Sequence, residues 1–224
     1  MSYTETMMEY VYEQYCLHDN MKCALDYLED EIDFSREEIK DMIEYTIDYN
    51  QKQFIKDYES LVQEFKSKYK FSEIDCKEEK IKWPKKSGVY VVWRNKINNP
   101  KKNLLYVGMT GKFNRNDKKI VFNSGTFDKR HDRYTPYRFC ESKKDKSNVY
   151  YFRYGPKKDT QKEQGKSKYD PDAYDISIKY SELTIHCFLI SEYDDIYTPE
   201  LLEKIILTKY LKYSGDLPPA NNEL

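Results

Sequence analysis

The chain has 224 residues, 34% charged and 39% hydrophobic, with a mean hydropathy of -0.94; this length allows one domain of ordinary size with a smaller addition, and no apolar run reaches the ~20 residues of a membrane-spanning helix. Aromatic residues make up 16%, among them 23 tyrosines, which excludes a disordered polyelectrolyte and points to a core of tyrosine rings with bonded hydroxyls. Net charge is -1, but residues 1–80 hold 21 acids against 10 bases and residues 81–224 hold 18 against 28, so a neutral total hides a basic part suited to a polyanion, or two halves that attract each other.

Residues 1–80 read as an acidic helical region that is structural or partner-binding. Met7, Met8, Val11, Tyr12 and Tyr15 recur at helical spacing, as do Cys23, Leu25, Tyr27, Leu28 and Ile32. Ser35 followed by Glu38 is a capping box. It opens a third run through Ile39, Met42, Ile43, Ile47, Phe54, Tyr58, Val62 and Phe65, which is one long helix or two broken near Asn50. A DNA-reading helix would be basic, and this one is not. Residues 71–86 read as a charged linker ending in Trp83-Pro84-Lys85-Lys86.

From Gly88 the pattern changes. Gly88-Val89-Tyr90-Val91-Val92-Trp93 is a β-branched and aromatic run, and Leu104-Leu105-Tyr106-Val107-Gly108 is a second; they form a hairpin with an extended loop. Residues 109–126 are irregular and basic, and an arginine-dense segment follows from Phe127 to Phe139. Asn148–Tyr154 reads as a strand, 155–175 as loop, and Leu183–Ile190 as a buried strand. Thr198 and Pro199 open a final helix with Leu201, Leu202, Ile205, Ile206 and Tyr210 as its apolar stripe, and Gly215 with Pro218-Pro219 ends it. The expected fold is α+β: a small central antiparallel sheet near 88–94, 103–108 and 183–190 with helices on both sides, an N-terminal helical appendage over 1–80, and a catalytic domain over 81–224 with a basic insertion at about 140–175.

The five cysteines and three histidines are scattered without metal-type spacing, so reduced thiols, no zinc site and a cytoplasmic location are expected. The first residues show no basic-then-apolar pattern of a secretory leader.

Taken singly, Tyr90 and Tyr106 are ordinary strand residues, Glu203 a solvated helix residue and Arg130 a surface charge. Their order is more informative. Gly88-Val89-Tyr90, then Tyr106-Val107-Gly108, then Arg130 in Phe127-Asp128-Lys129-Arg130, then Glu203 on the last helix, then Pro218-Pro219-Ala220-Asn221-Asn222 resembles the GIY-YIG nuclease family over about residues 84–224. The resemblance implies a metal-dependent endonuclease that hydrolyses DNA phosphodiesters, of restriction, mobile-element or defence type, with RNA left open as substrate. It implies Glu203 as ligand of one Mg²⁺ or Mn²⁺, Arg130 as phosphate clamp, Tyr90 as base with Tyr106 in support, and Asn221 as the stabilising terminal Asn. These types suit the chemistry. A phosphodiester repels nucleophiles, so hydrolysis needs a deprotonated water and cations that absorb phosphate charge; one carboxylate can hold a largely hydrated Mg²⁺, and Arg matches phosphate with paired donors.

The spacings are longer than in compact members of the family. Arg115 and Arg133 therefore stand as alternatives to Arg130, and Asn222 to Asn221. Lys143, Lys144 and Arg153, interleaved with Tyr150, Tyr151, Phe152 and Tyr154, are further candidate nucleic-acid contacts with Arg115 and Arg133. Restriction-type relatives imply a homodimer on a palindromic site. Two other readings compete: a catalytically inactive relative that binds nucleic acid or a partner, and a helical interaction protein whose acidic N-terminal region does the work.

Overall fold

The computed structural model describes residues 5–18, 21–76, 81–95, 97–114, 121–123, 127, 139–141, 150–157, 174–190 and 197–221. Helices α1 (Glu5–Leu17) and α2 (Met21–Glu31) lead into α3 (Arg36–Lys68), a single unbroken helix of 33 residues. Its start follows the expected capping box: the Ser35 side chain accepts from the Glu38 amide, and the Glu38 carboxylate accepts from the Ser35 amide. At ~1.5 Å per residue α3 is about 50 Å long, long enough to serve two cores. Its first half closes a small core through Ile39, Met42 and Ile43 against Val11, Ala24, Leu25 and Leu28. Its second half lays Phe54, Tyr58, Val62 and Phe65 on the central sheet.

That sheet has four antiparallel strands in the order β1 (Lys70–Asp75), β9 (Leu183–Ile190), β2 (Ser87–Arg94), β3 (Leu104–Thr110). The short helix α4 (Pro100–Asn103) precedes β3. The three expected strands are present. β1 was read as linker; instead it pairs with β9 from Lys70↔Leu189 to Asp75↔Thr184. Its charged residues are tolerated because it is an edge strand, open on one side to water. The second half of α3, from Phe54, thus packs on the sheet, and β1 is part of it.

Alternation along the strands gives the sheet two apolar faces. Val89, Val91, Trp93, Leu104, Val107, Phe188 and Ile190 face α3 and the last helix, α5 (Pro199–Ser214). Thr198 caps α5 by accepting from the Leu201 amide, Pro199 occupies its first turn, and Gly215 at φ 75° ends it. Leu202, Ile206, Leu207, Tyr210 and Tyr213 are its buried residues in this core, each contributing ~1.5–3 kcal/mol on burial.

The opposite face carries Tyr90, Val92, Leu105, Ile185 and Cys187. Helices were expected there too. Among the described residues it is covered instead by a second sheet of β6 (Phe139–Glu141), β7 (Tyr150–Lys157) and β8 (Tyr174–Lys179), through Phe152 and Ile178, with Tyr180, Ile81 and Phe127. β8 begins inside the stretch expected as loop. A further pair, β4 (Lys112–Asn114) and β5 (Val121–Asn123), follows β3. No described helix is long and apolar enough to cross a membrane.

Candidate active site

The two glycines of the tyrosine hairpin are fixed for different reasons. Gly88 sits at φ 146°, and a Cβ there would lie 1.9 Å from the Phe188 carbonyl oxygen on β9. Backbone conformation and backbone proximity both demand glycine at that point. Gly108 has no such backbone requirement. A Cβ on it would lie 2.5 Å from Tyr106 Cε1 and 2.8 Å from both Cζ and the hydroxyl of Tyr90. Glycine at 108 makes room for two tyrosine rings.

The ladder explains the convergence. Tyr90 lies directly opposite Gly108, and Tyr106 pairs with Val92 one step along on the same face. The register then slips between Val92 and Trp93, so that Trp93 pairs with Leu104. Leu105 is the extra residue of a bulge, which keeps Leu104 and Trp93 on the first face while Tyr106 stays beside Tyr90. The ring centroids of Tyr90 and Tyr106 are 5.7 Å apart at 54°. Tyr90 is only 2% exposed. Trp83 and Phe127 meet it edge-on at 5.5 Å and 5.7 Å. Tyr106 is partly exposed and also leans toward Phe152 at 6.3 Å. The arrangement is one buried and one partly exposed tyrosine over a shared glycine.

β3 is at the sheet edge, so one side of its backbone would lack partners. The chain returns there. The Ala220 amide donates to Leu105 O at 3.0 Å. The Asn221 side chain accepts from the Val107 amide at 2.9 Å and donates to the Val107 carbonyl at 2.7 Å. A single carboxamide thus replaces a neighbouring strand and braces β3 between Tyr106 and Gly108. Asn221, expected near the tyrosines, is joined to them through the backbone.

Glu203 belongs to the other layer. It is partly buried on α5, between the buried Ile206 and Leu207 in helical projection, and α5 packs against β3 and β2. Arg115, Arg130, Arg133, Lys143 and Lys144 lie outside the described residues. Arg130 follows three residues after Phe127, whose amide donates to Lys86 O at 2.9 Å. Arg153 was expected as a surface contact. It is 0% exposed on β7, opposite Ser177, a position that does not present its guanidinium to a bound polymer.

Burial disposes of two other nucleophiles, Cys76 and Cys187. It pushes the Cys76 thiol up to about 12 and raises Cys187 strongly, so both stay protonated and inert. His186, 1% exposed, is held down at about 4 by burial, with the Lys66 charge adding to this. Its Nδ1 and the Tyr58 hydroxyl are 2.9 Å apart, and Trp93 Nε1 donates to the same hydroxyl at 3.1 Å. The sequence reading missed this network, which ties α3 to β2 and β9, and it missed Trp83 and Phe127 as the walls around Tyr90. Their aromatic character was visible, but contacts so distant in sequence leave no local periodicity.

Among the described residues no three His, Cys, Asp or Glu side chains gather to hold a metal ion. Compared with protein-family models, with curated proteins and with solved structures, the chain matches none.

Proposed function

We propose that the chain is a metal-dependent endonuclease that hydrolyses DNA phosphodiester bonds, with its chemistry at the Tyr90–Tyr106 pair. The observation that carries this reading is the convergence of both rings on Gly108. Strand propensity explains a tyrosine in either strand. It does not explain two tyrosines crowding a glycine while the terminal Asn221 braces the same strand.

The difference in exposure divides the roles. Tyr106, the partly exposed ring, orients or deprotonates the attacking water. Tyr90, read from sequence as the base, is enclosed and holds Tyr106 in place. Water adds to phosphorus, the P–O bond to the leaving oxygen breaks, and the leaving oxygen takes a proton from solvent. Arg130, close in sequence to Phe127, is the phosphate clamp of this reading. A single partly buried carboxylate suits an ion that keeps most of its own waters, so in this reading Glu203, on the helix that packs along the edge strand β3 and on the sheet face opposite the tyrosine rings, would hold Mg²⁺ or Mn²⁺ at that edge, where the ion when bound would neutralise phosphate charge.

The test is incubation of purified protein with plasmid and phage DNA in Mg²⁺ or Mn²⁺. Discrete fragments or a smear, lost in Glu203→Ala, support the proposal. One observation favours a second reading, a non-cleaving nucleic-acid-binding relative: the 2% exposure of Tyr90 also suits a packing residue. Salt-sensitive DNA binding without cleavage in either metal would favour it.

A further inference from the structure

The segment that enters β2 carries three lysines and no acid over residues 82–86. Lys82, Lys85 and Lys86 are exposed, and among the described residues none pairs with a carboxylate. Lys22, Lys102 and Lys204 are likewise exposed without an ion pair among the described residues; what marks this segment is three such lysines within five residues. The lysine segment is anchored at several points. Ile81 is buried in the second core. Trp83 meets Tyr90 edge-on at 5.5 Å and stacks over Phe127 at 6.2 Å and 26°. The Lys86 carbonyl accepts the Phe127 amide, and Ser87 opens β2 in a buried position. Lys86 to Tyr90 is four residues of strand, about 13 Å. An indole that touches one ring of the tyrosine pair therefore sits within a run of three exposed lysines that leads into β2.

We propose that Lys82, Lys85 and Lys86 are backbone-phosphate contacts for a DNA duplex lying across the Tyr90–Tyr106 pair, with Trp83 as their positioning residue. This rests on the nuclease reading above. Each ammonium neutralises one phosphate and releases its condensed counterions, so these contacts supply affinity that is independent of sequence and steeply salt-dependent. They hold substrate and transition state alike, so they act on KM and leave kcat little changed.

The experiment measures binding of a short fluorescein-labelled DNA duplex by anisotropy across a salt series, with Glu203→Ala as the parent so that the duplex stays intact. Adding K82Q, K85Q and K86Q should lower the slope of log K against log salt by about 2.7, at ~0.9 per contact, and weaken binding on the order of tenfold or more. In the cleavage-competent chain the same triple change should raise KM with kcat nearly constant. Its melting temperature should match the parent's, because all three side chains are exposed. Unchanged slope and affinity, with Glu203→Ala itself binding DNA, would overturn the lysine assignment and leave the nuclease reading standing. Absence of any salt-sensitive DNA binding by Glu203→Ala would sink both. Tighter, lysine-dependent binding to an RNA duplex of the same sequence would overturn DNA as the polymer.

Discussion

Tyr90 stands directly across the β2–β3 ladder from Gly108, and its hydroxyl would lie 2.8 Å from a Cβ placed there. Gly108→Ala therefore displaces the Tyr106 ring and the Tyr90 hydroxyl without straining the backbone. Tyr90 has little room to retreat, being walled by Trp83 and Phe127. The expected stability loss is about 1–3 kcal/mol, typical of overpacking. Cleavage should fall on the order of a hundredfold, because a misplacement of about 1 Å at a reacting group has that effect. Thermal melts and single-turnover rates on one preparation check this; a folded, fully active Gly108→Ala would show that the pair has no chemical role.

Asn221 provides a second test at the same strand. Asn221→Ala leaves the amide and carbonyl of Val107 without side-chain partners, at a cost of roughly 1–3 kcal/mol. Asn221→Asp keeps the acceptor for the amide but sets a carboxylate oxygen against the Val107 carbonyl, so it should be no better than alanine. Denaturant titrations give the stability change. Hydrogen exchange should speed up along β3 more than along β9, which is paired on both sides; uniform acceleration would count against a local brace.

The buried His186 predicts an acid limit to stability. Around it stand Tyr58 and Lys66 from α3, Phe71 and Glu73 from β1, and Trp93 from β2 through Tyr58. Glu73 is 3.7 Å from Nε2, too long for a hydrogen bond, and 55% exposed, so water screens it and burial prevails. The folded ring stays neutral down to about 4, while the unfolded ring protonates at the ordinary 6.5. Between these values the unfolded state binds more protons, so stability falls as pH drops from 6.5 towards 4, by up to roughly 3 kcal/mol. Below that window this group adds no further slope. Urea midpoints across the range should show the decline in wild type and less of it in His186→Gln; equal slopes would remove His186 as the cause.

Glu203→Ala should abolish cleavage and leave duplex affinity within a few-fold of wild type, since a metal ligand serves the transition state more than docking. Cleavage assays beside anisotropy titrations decide it, and undiminished cleavage would move the metal elsewhere.

Legibility in the sequence followed locality. β2, β3 and β9 were readable from β-branched and aromatic runs, the start of α3 from Ser35 and Glu38, and both ends of α5 from Pro199 and Gly215, because propensity and capping act within a few residues. β1 was not readable. Lys70, Glu73 and Asp75 make it resemble a linker, and only its pairing with β9, more than a hundred residues on, makes it a strand. The second sheet was hidden likewise: β7 was visible, but β8 begins in a polar stretch and its layer position depends on Phe152 and Ile178 meeting a distant face. At the site, the tyrosines and glycines were legible as types at a spacing. The enclosure of Tyr90 by Trp83 and Phe127, the interior position of Arg153 and the backbone grip of Asn221 come from long-range packing that no local pattern encodes.

The most direct measurement is the single-turnover rate of DNA cleavage in saturating Mg²⁺ for Tyr106→Phe beside wild type. The change removes one oxygen from the partly exposed ring and leaves its ring contacts with Tyr90 and Phe152 in place. The expected result is a folded protein with a rate reduced by about a hundredfold or more, in the range of a lost acid–base group. A wild-type rate in the folded Tyr106→Phe protein would contradict it.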